Sequence, residues 1–90
     1  MSKESDFSKW IQGELDDLRR IRDELEVQAH LGKAEMRSAW EKLEDRLGEL
    51  ERHRKQIARA AEEPLQKLEA DARQLARDLR EGFRRIRDSI

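Results

Sequence analysis

The feature that most constrains this chain is a stripe of apolar and small residues spaced three or four positions apart along nearly its whole length. Side chains at this spacing share one face of an α-helix, whereas a half-buried strand alternates with period two. No useful stretch alternates in that way. The spacing therefore predicts an all-α fold. The stripe comprises Ile11, Leu15, Leu18, Leu25, Ala29, Gly32, Met36, Ala39, Leu43, Leu47, Leu50, Ile57, Ala61, Leu65, Leu68, Ala72, Leu75, Leu79, Phe83, Ile86 and Ile90, with Arg22 and Arg54 interrupting it.

Composition decides between helix and disorder. Charged residues make up 46% of the ninety residues and the apolar set only 36%. Disordered chains usually combine low hydrophobicity with a large net charge, but here 20 basic and 21 acidic residues nearly cancel. Balanced charge with few glycines and prolines is typical of long helices.

Capping and breaker residues set the predicted boundaries. Residues 1–5 are expected to be a flexible amino terminus, because Asp6 stands just before the first apolar residues. Pro64 is the one strong breaker. We expect a single domain with one long amphipathic helix over 6–61 and a second, basic amphipathic helix over 64–88. Pro64 fits either a hairpin turn or a kink, and Gly32 either a close helix approach or a break in the first helix.

The length of the first helix predicts self-association. Several steps of four raise the mean apolar spacing to about 3.6, which favours nearly straight helices in a coiled-coil hairpin or bundle. A helix of about 80 Å cannot be covered by a partner less than half as long. A homo-oligomer, a dimer or larger, is therefore expected. The predicted helix-packing interface is Ile11, Leu15, Leu18, Leu25, Met36, Trp40, Leu43, Leu47, Leu50, Ile57, Leu65, Leu68, Leu75, Leu79, Phe83 and Ile86.

Charge is divided unevenly between the two halves. Residues 1–45 hold 8 basic and 12 acidic groups, and residues 46–90 hold 12 and 9. Opposite halves attract, which favours antiparallel or head-to-tail pairing of helices. A nucleic-acid partner is not expected, because the chain lacks a one-sided basic field.

The carboxyl-terminal stretch 73–90 is a basic amphipathic helix. It fits a plain bundle helix, a lipid or granule surface, or the groove of a protein partner. The candidate contacts to an anionic surface are Arg77, Arg80, Arg84, Arg85 and Arg87.

Catalytic and metal chemistry is not predicted. The chain has no cysteine, no signal peptide and no transmembrane run, so a cytoplasmic location is expected. Glu26 with His30, and Glu49 with His53, stand four apart, a spacing that solvent-exposed helix neighbours share with metal ligands. No nucleophile has an evident base and no glycine-rich phosphate loop occurs, so we expect no enzyme, cofactor or small-molecule substrate.

Three segments carry a resemblance to a known group of proteins. The stretches 27–35, 40–44 and 79–86 resemble bacterial short coiled-coil proteins of unknown or stress-related role. The resemblance implies an all-helical cytoplasmic protein without established catalytic residues, and Pro64 and the arginine-rich tail depart from its pattern. The predicted function is a non-enzymatic, self-associating scaffold or interaction element. The alternative is a peripheral membrane- or granule-surface protein that binds through its basic carboxyl-terminal helix.

Overall fold

The computed structural model describes residues 6–59 and 66–90. These residues form three helices, α1 (Asp6–His30), α2 (Ala34–Arg59) and α3 (Gln66–Ser89). No strand occurs within the described ranges. The predicted all-α class is confirmed.

The prediction of one continuous helix over 6–61 is wrong at residues 31–33, where the chain leaves the helix between His30 and Ala34. Gly32 lies at this break, so its second reading, a helix end, is the correct one. A glycine inside a helix costs about 1 kcal/mol relative to alanine. That cost alone does not end a helix, and the burial gained when α2 folds back on α1 supplies the rest.

Backbone hydrogen bonds show how α1 ends. The Leu31 N–H donates to the Val27 carbonyl at 3.1 Å, which continues the α-helical pattern for one more residue. The Gly32 N–H donates to the Ala29 carbonyl at 3.2 Å, three residues back. A bond of this kind tightens the last turn and satisfies one of the carbonyls left over at a helix end.

The three helices run up, down and up in a bundle of 48 × 20 × 16 Å. The Trp40 and Phe83 rings lie 5.3 Å apart, so the start of α2 meets the end of α3 and these helices are antiparallel. Arg80 of α3 binds Glu14 of α1, and Arg87 lies further along beside Glu24, so α1 and α3 are parallel.

α3 returns antiparallel along α2, but the alternatives of a hairpin turn or a kink at Pro64 concern residues that the structure does not describe. Residues 60–65, with Ala61, Pro64 and Leu65, lie outside the described residues, as does the predicted amino-terminal segment 1–5. The described part of the second helix begins at Gln66 and extends to Ser89, one residue past the predicted end.

The predicted packing residues line the centre of the bundle. Met36, Leu68 and Leu75 are half-buried at its edge, and Leu65 is not described. The buried members are Ile11, Leu15, Leu18, Leu25, Trp40, Leu43, Leu47, Leu50, Ile57, Leu79, Phe83 and Ile86.

The core also differs from the stripe at its margins. Phe7 and Ala76 are buried although neither belonged to the stripe. Ala39 and Ile90 belonged to it but are exposed. Three helices around one axis present a wider apolar face than a hairpin seam, which brings in neighbours on one flank and leaves others outside.

The way in which the core is covered removes one expected reason for self-association. The stripe was expected to need a second molecule because one long helix could not be covered by a short one. The described helices are instead 25, 26 and 24 residues long, so each covers the others along its length. An uncovered stripe is therefore no reason for self-association, and any association of the folded bundle would have to use its outer surface.

Two glycines allow a test of the α2–α3 packing. A Cβ at Gly82 would collide with Leu43 Cδ2 and lie 3.3 Å from Leu43 Cγ, whereas a Cβ at Gly13 has no neighbour within 4 Å. Gly13→Ala is expected to raise the free energy of unfolding by about 1 kcal/mol through helix propensity. Gly82→Ala makes the same gain but overpacks Leu43 at a cost of about 1–3 kcal/mol, so we expect net destabilisation of about 1 kcal/mol.

Urea denaturation followed by circular dichroism measures both values. Gly48→Ala is a second control, because the nearest atom to its added Cβ is Arg52 Nη1 at 3.8 Å. Equal stabilisation by Gly82→Ala and Gly13→Ala would show that α2 and α3 are not in close contact at this point.

Candidate interaction surface at the loop end of the bundle

The end of the bundle that carries residues 31–33 and the carboxyl end of α3, here called the loop end, holds most of the exposed large apolar side chains. Among the described residues these are Val27 at 68%, Leu31 at 82% and Ile90 at 52% exposed. The fourth, Trp10, lies near the opposite end at 39% exposed. Its ring packs 5.3 Å from Phe7 and lies beneath the Arg73 guanidinium at 5.6 Å. The uncovered apolar surface is therefore concentrated at the loop end.

Val27 and Leu31 form one exposed apolar pair. They are four residues apart, and the bond from the Leu31 N–H to the Val27 carbonyl keeps them on the same side of the last turn. Carboxylates stand on the two turns around them, at Asp23, Glu24 and Glu26. We call these five residues the α1 strip.

Two of the three carboxylates of the α1 strip form ion pairs, and both pairs lie at the molecular surface. Arg22 Nη2 lies 3.1 Å from an Asp23 carboxylate oxygen, and Arg87 Nη2 lies 3.8 Å from one of Glu24. Glu26 makes no ion pair with any residue in the described ranges. The strip therefore combines two exposed apolar side chains with an acidic surround.

A groove opens beside the strip, between the first half of α2 and the last turns of α3. Its volume is about 790 Å³, and it extends to Gln28 and Gly32 at the end of α1. The side chain of Leu43 lies against Gly82 on its floor, and the exposed Ala39 leaves the surface low beside them. The apolar lining is Met36, Ala39, Leu43, Ile86 and Ile90.

The rim of this groove, called here the α2–α3 groove, is basic. Lys33, Lys42, Arg46 and Arg85 line it, and Glu35 is the one carboxylate among its lining residues. Arg85 lies 3.5 Å from Glu81 in an exposed pair, which is a weak interaction. No ion pair joins the other three cations to any described residue.

The five arginines predicted to contact an anionic surface do not form one surface. Arg80 faces α1, where its Nε and Nη2 donate to the two Glu14 carboxylate oxygens at 2.7 and 2.6 Å. Glu14 is only 14% exposed, and its hydrogen bond raises the pKa of Arg80 above the ordinary arginine value. Arg87 also faces α1, and Arg85 faces the groove.

The remaining two arginines point away from the other helices. Arg77 and Arg84 are exposed and make no ion pair within 6–59 and 66–90. Two of the five arginines thus link α3 to the acidic α1. The opposite charges of the two chain halves meet within one molecule, in a parallel helix pair.

The two histidines with metal-ligand spacing, His30 and His53, lie in different surroundings. The His53 Nδ1–H donates to the Glu49 backbone carbonyl at 2.8 Å, so that nitrogen is engaged with the helix itself. His30 is exposed at the end of α1. The described residues contain no group of three or more His, Cys, Asp or Glu placed to hold a metal ion.

None of the three described helices combines the length and the apolar character needed to pass through a bilayer.

The sequence reasoning missed the loop-end residues. Val27 and Leu31 lie off the main stripe, and their four-residue spacing was the signal that marks a second, smaller apolar face. No sequence pattern marked Lys33, Lys42 and Arg46, because these residues form the rim of a groove only when α3 packs beside α2.

Comparison of the chain with protein-family models, with curated proteins and with solved structures gives no match.

Proposed function

We propose that this chain is a non-enzymatic interaction element that folds as a three-helix bundle and associates with a second copy of itself through its loop end. The observation that carries the proposal is the exposure of Val27, Leu31 and Ile90 at one end, next to a groove with an apolar floor. Exposed apolar residues are unremarkable when scattered, but a group bordered by charge is typical of an interaction site.

The chemistry of the groove supports a binding role over a catalytic one. Ser89 carries the one hydroxyl among its lining residues, and that hydroxyl donates to the Arg85 backbone carbonyl at 2.9 Å. No histidine lines the groove to activate it as a base. A role under stress and a bacterial cytoplasmic setting are part of the proposal on the strength of the sequence resemblance alone.

Sedimentation equilibrium tests self-association directly. The chain has a mass of 10.7 kDa, and the weight-average mass is expected to rise towards twice that value as concentration increases through the micromolar range. A constant monomer mass at every concentration would contradict the proposal. A detergent-free buffer at physiological ionic strength keeps charge contacts at their working strength.

The alternative function, binding to a lipid or granule surface through α3, is less well supported by the packing. Its apolar contacts would be Leu79, Phe83 and Ile86, which are all buried in the core, Phe83 with only 1% exposed. Insertion of this face into lipid requires α3 to leave the bundle and exposes the apolar faces of α1 and α2. The protein would then lose the free energy that it gains by burying most of its apolar core.

Phe83→Glu tests the core role of Phe83, the packing that α3 would have to give up in order to bind lipid. Because Phe83 packs edge-to-face on Trp40, a carboxylate there loses the aromatic contact and is buried without a partner. Loss of a buried aromatic ring costs about 3–5 kcal/mol when the residue is truncated to alanine, and an unpaired buried charge adds to that cost, so we expect loss of the cooperative thermal transition. Circular dichroism measures it.

Co-sedimentation with anionic vesicles completes the test. The folded wild-type bundle is expected to stay in the supernatant at physiological salt. Arg77→Glu with Arg84→Glu is the matched variant, because both side chains are exposed and the fold tolerates their change. Strong vesicle binding by the wild type that this double variant abolishes would establish the lipid function instead.

A further inference from the structure

We infer that the α1 strip of one molecule docks in the α2–α3 groove of a second copy, and that two such contacts related by a twofold axis form the dimer. The inference deepens the proposed function and rests on it. It assigns to self-association a specific pair of complementary surfaces.

The apolar parts of the two surfaces suit each other. The strip offers Val27 and Leu31 as a pair of projecting side chains one helical turn apart. The groove offers the half-buried Met36 and the exposed Ala39 and Ile90 as its accessible apolar side chains, with the edges of the buried Leu43 and Ile86 beneath them. A groove between two helices receives a third helix through side chains one helical turn apart.

The charged parts are complementary in sign. The carboxylates of Asp23, Glu24 and Glu26 surround the apolar pair, whereas Lys33, Lys42, Arg46 and Arg85 surround the groove. Bringing the two together places Lys33, Lys42 and Arg46, which form no ion pair with any described residue, and Arg85, which pairs only with the exposed Glu81, beside acidic side chains of the other copy. Complementary charge of this kind fixes the register of an interface and accelerates association more than it adds affinity.

The positions of the two surfaces favour a closed dimer over a chain of molecules. The groove reaches Gln28, which adjoins Val27 in sequence, so strip and groove border each other at the loop end. Adjacent complementary surfaces are satisfied together by a twofold rotation, in which each copy gives and receives the same contact. Both loop ends then meet and the opposite ends remain free.

The second copy is favoured over other occupants by the shape of the groove. A small-molecule site buries most of its ligand, but the rim side chains of this groove are all exposed and leave it open along its length. An acidic helix from a different protein would have the same chemistry as the strip. The α1 strip, however, is itself an exposed apolar surface. Docking of the strip in the groove of a second copy removes both the strip and the groove from water.

Two double variants test the contact, each altering one surface. Val27→Ser with Leu31→Ser removes the apolar pair and is expected to weaken the dimer by about a hundredfold or more, as burial of large aliphatic side chains is lost. Lys42→Glu with Arg85→Glu reverses the rim and is expected to weaken it by about tenfold or more. Arg52→Glu with Arg77→Glu is the matched control, because it makes the same change of net charge on exposed parts of α2 and α3 away from the groove.

Mixing the two double variants gives the decisive measurement. A homodimer of either variant contains no intact strip–groove contact. A mixed dimer contains one, between the strip of the rim variant and the groove of the strip variant. Sedimentation of the equimolar mixture is therefore expected to show tighter association than either variant alone, with circular dichroism confirming that both remain folded.

The outcomes separate this inference from the function on which it rests. A wild-type chain that stays monomeric overturns both. A wild-type dimer that the two variants weaken no more than the control does, or variants that gain nothing on mixing, overturns the strip–groove contact and leaves self-association intact. A monomer that instead binds an acidic amphipathic peptide, made of leucine and glutamate at helical spacing, assigns the groove to a different protein and overturns the second copy as its occupant.

Discussion

Reversal of the chain at residues 31–33 is the constraint on which the rest of the structure depends. It divides a continuous apolar stripe into segments of 25 and 26 residues, which match the 24 residues of α3. Helices of these lengths measure about 36–39 Å, so their apolar faces meet along their full length. Without the reversal, about half of the stripe would face water. With it, residues from all three helices share one core.

The charge pattern complements this core without replacing it. Exposed ion pairs contribute little to stability, but a two-bond contact to a carboxylate that is mostly buried is stronger and directional. The Arg80–Glu14 contact is of this kind, and Arg19 of α1 pairs in addition with Glu51 of α2. Both contacts help to fix the register in which the helices pack. One polar group in the core is unpaired, because the buried Trp40 Nε1–H has no hydrogen-bond partner among the described residues. An unpaired buried donor of this kind destabilises a folded protein by about 1–3 kcal/mol.

The sequence predicts the faces of the helices well and the path of the chain less well. Periodicity reports which side of a helix is apolar, and it placed Leu18, Leu50 and Leu79 correctly in the core. It does not report where a helix stops. Gly13, Gly48 and Gly82 carry the same propensity cost as Gly32, yet each lies inside a helix. The burial gained when α2 folds back on α1 is available at Gly32 and not at the other three.

The loop-end surface was beyond prediction for the same reason. Lys42 and Arg85 stand more than forty residues apart in sequence, and their meeting across a groove depends on the antiparallel packing of α2 and α3. Val27 and Leu31 were visible as apolar residues off the stripe. Their exposure is informative only because the main apolar stripe is covered by the other helices. On a chain with an uncovered stripe, two further exposed apolar residues would mark no particular surface.

Because the apolar core is buried within one chain, association with a second copy is not needed to cover it. In an obligate helical oligomer, folding and assembly are one event, and stability cannot be separated from concentration. Here the apolar core closes within the monomer, and the exposed apolar side chains remain at one end, beside charges of both signs. Contacts of that composition are moderate in strength and sensitive to ionic strength. The proposed association through the loop end is therefore expected to respond to concentration and salt while the bundle itself stays folded.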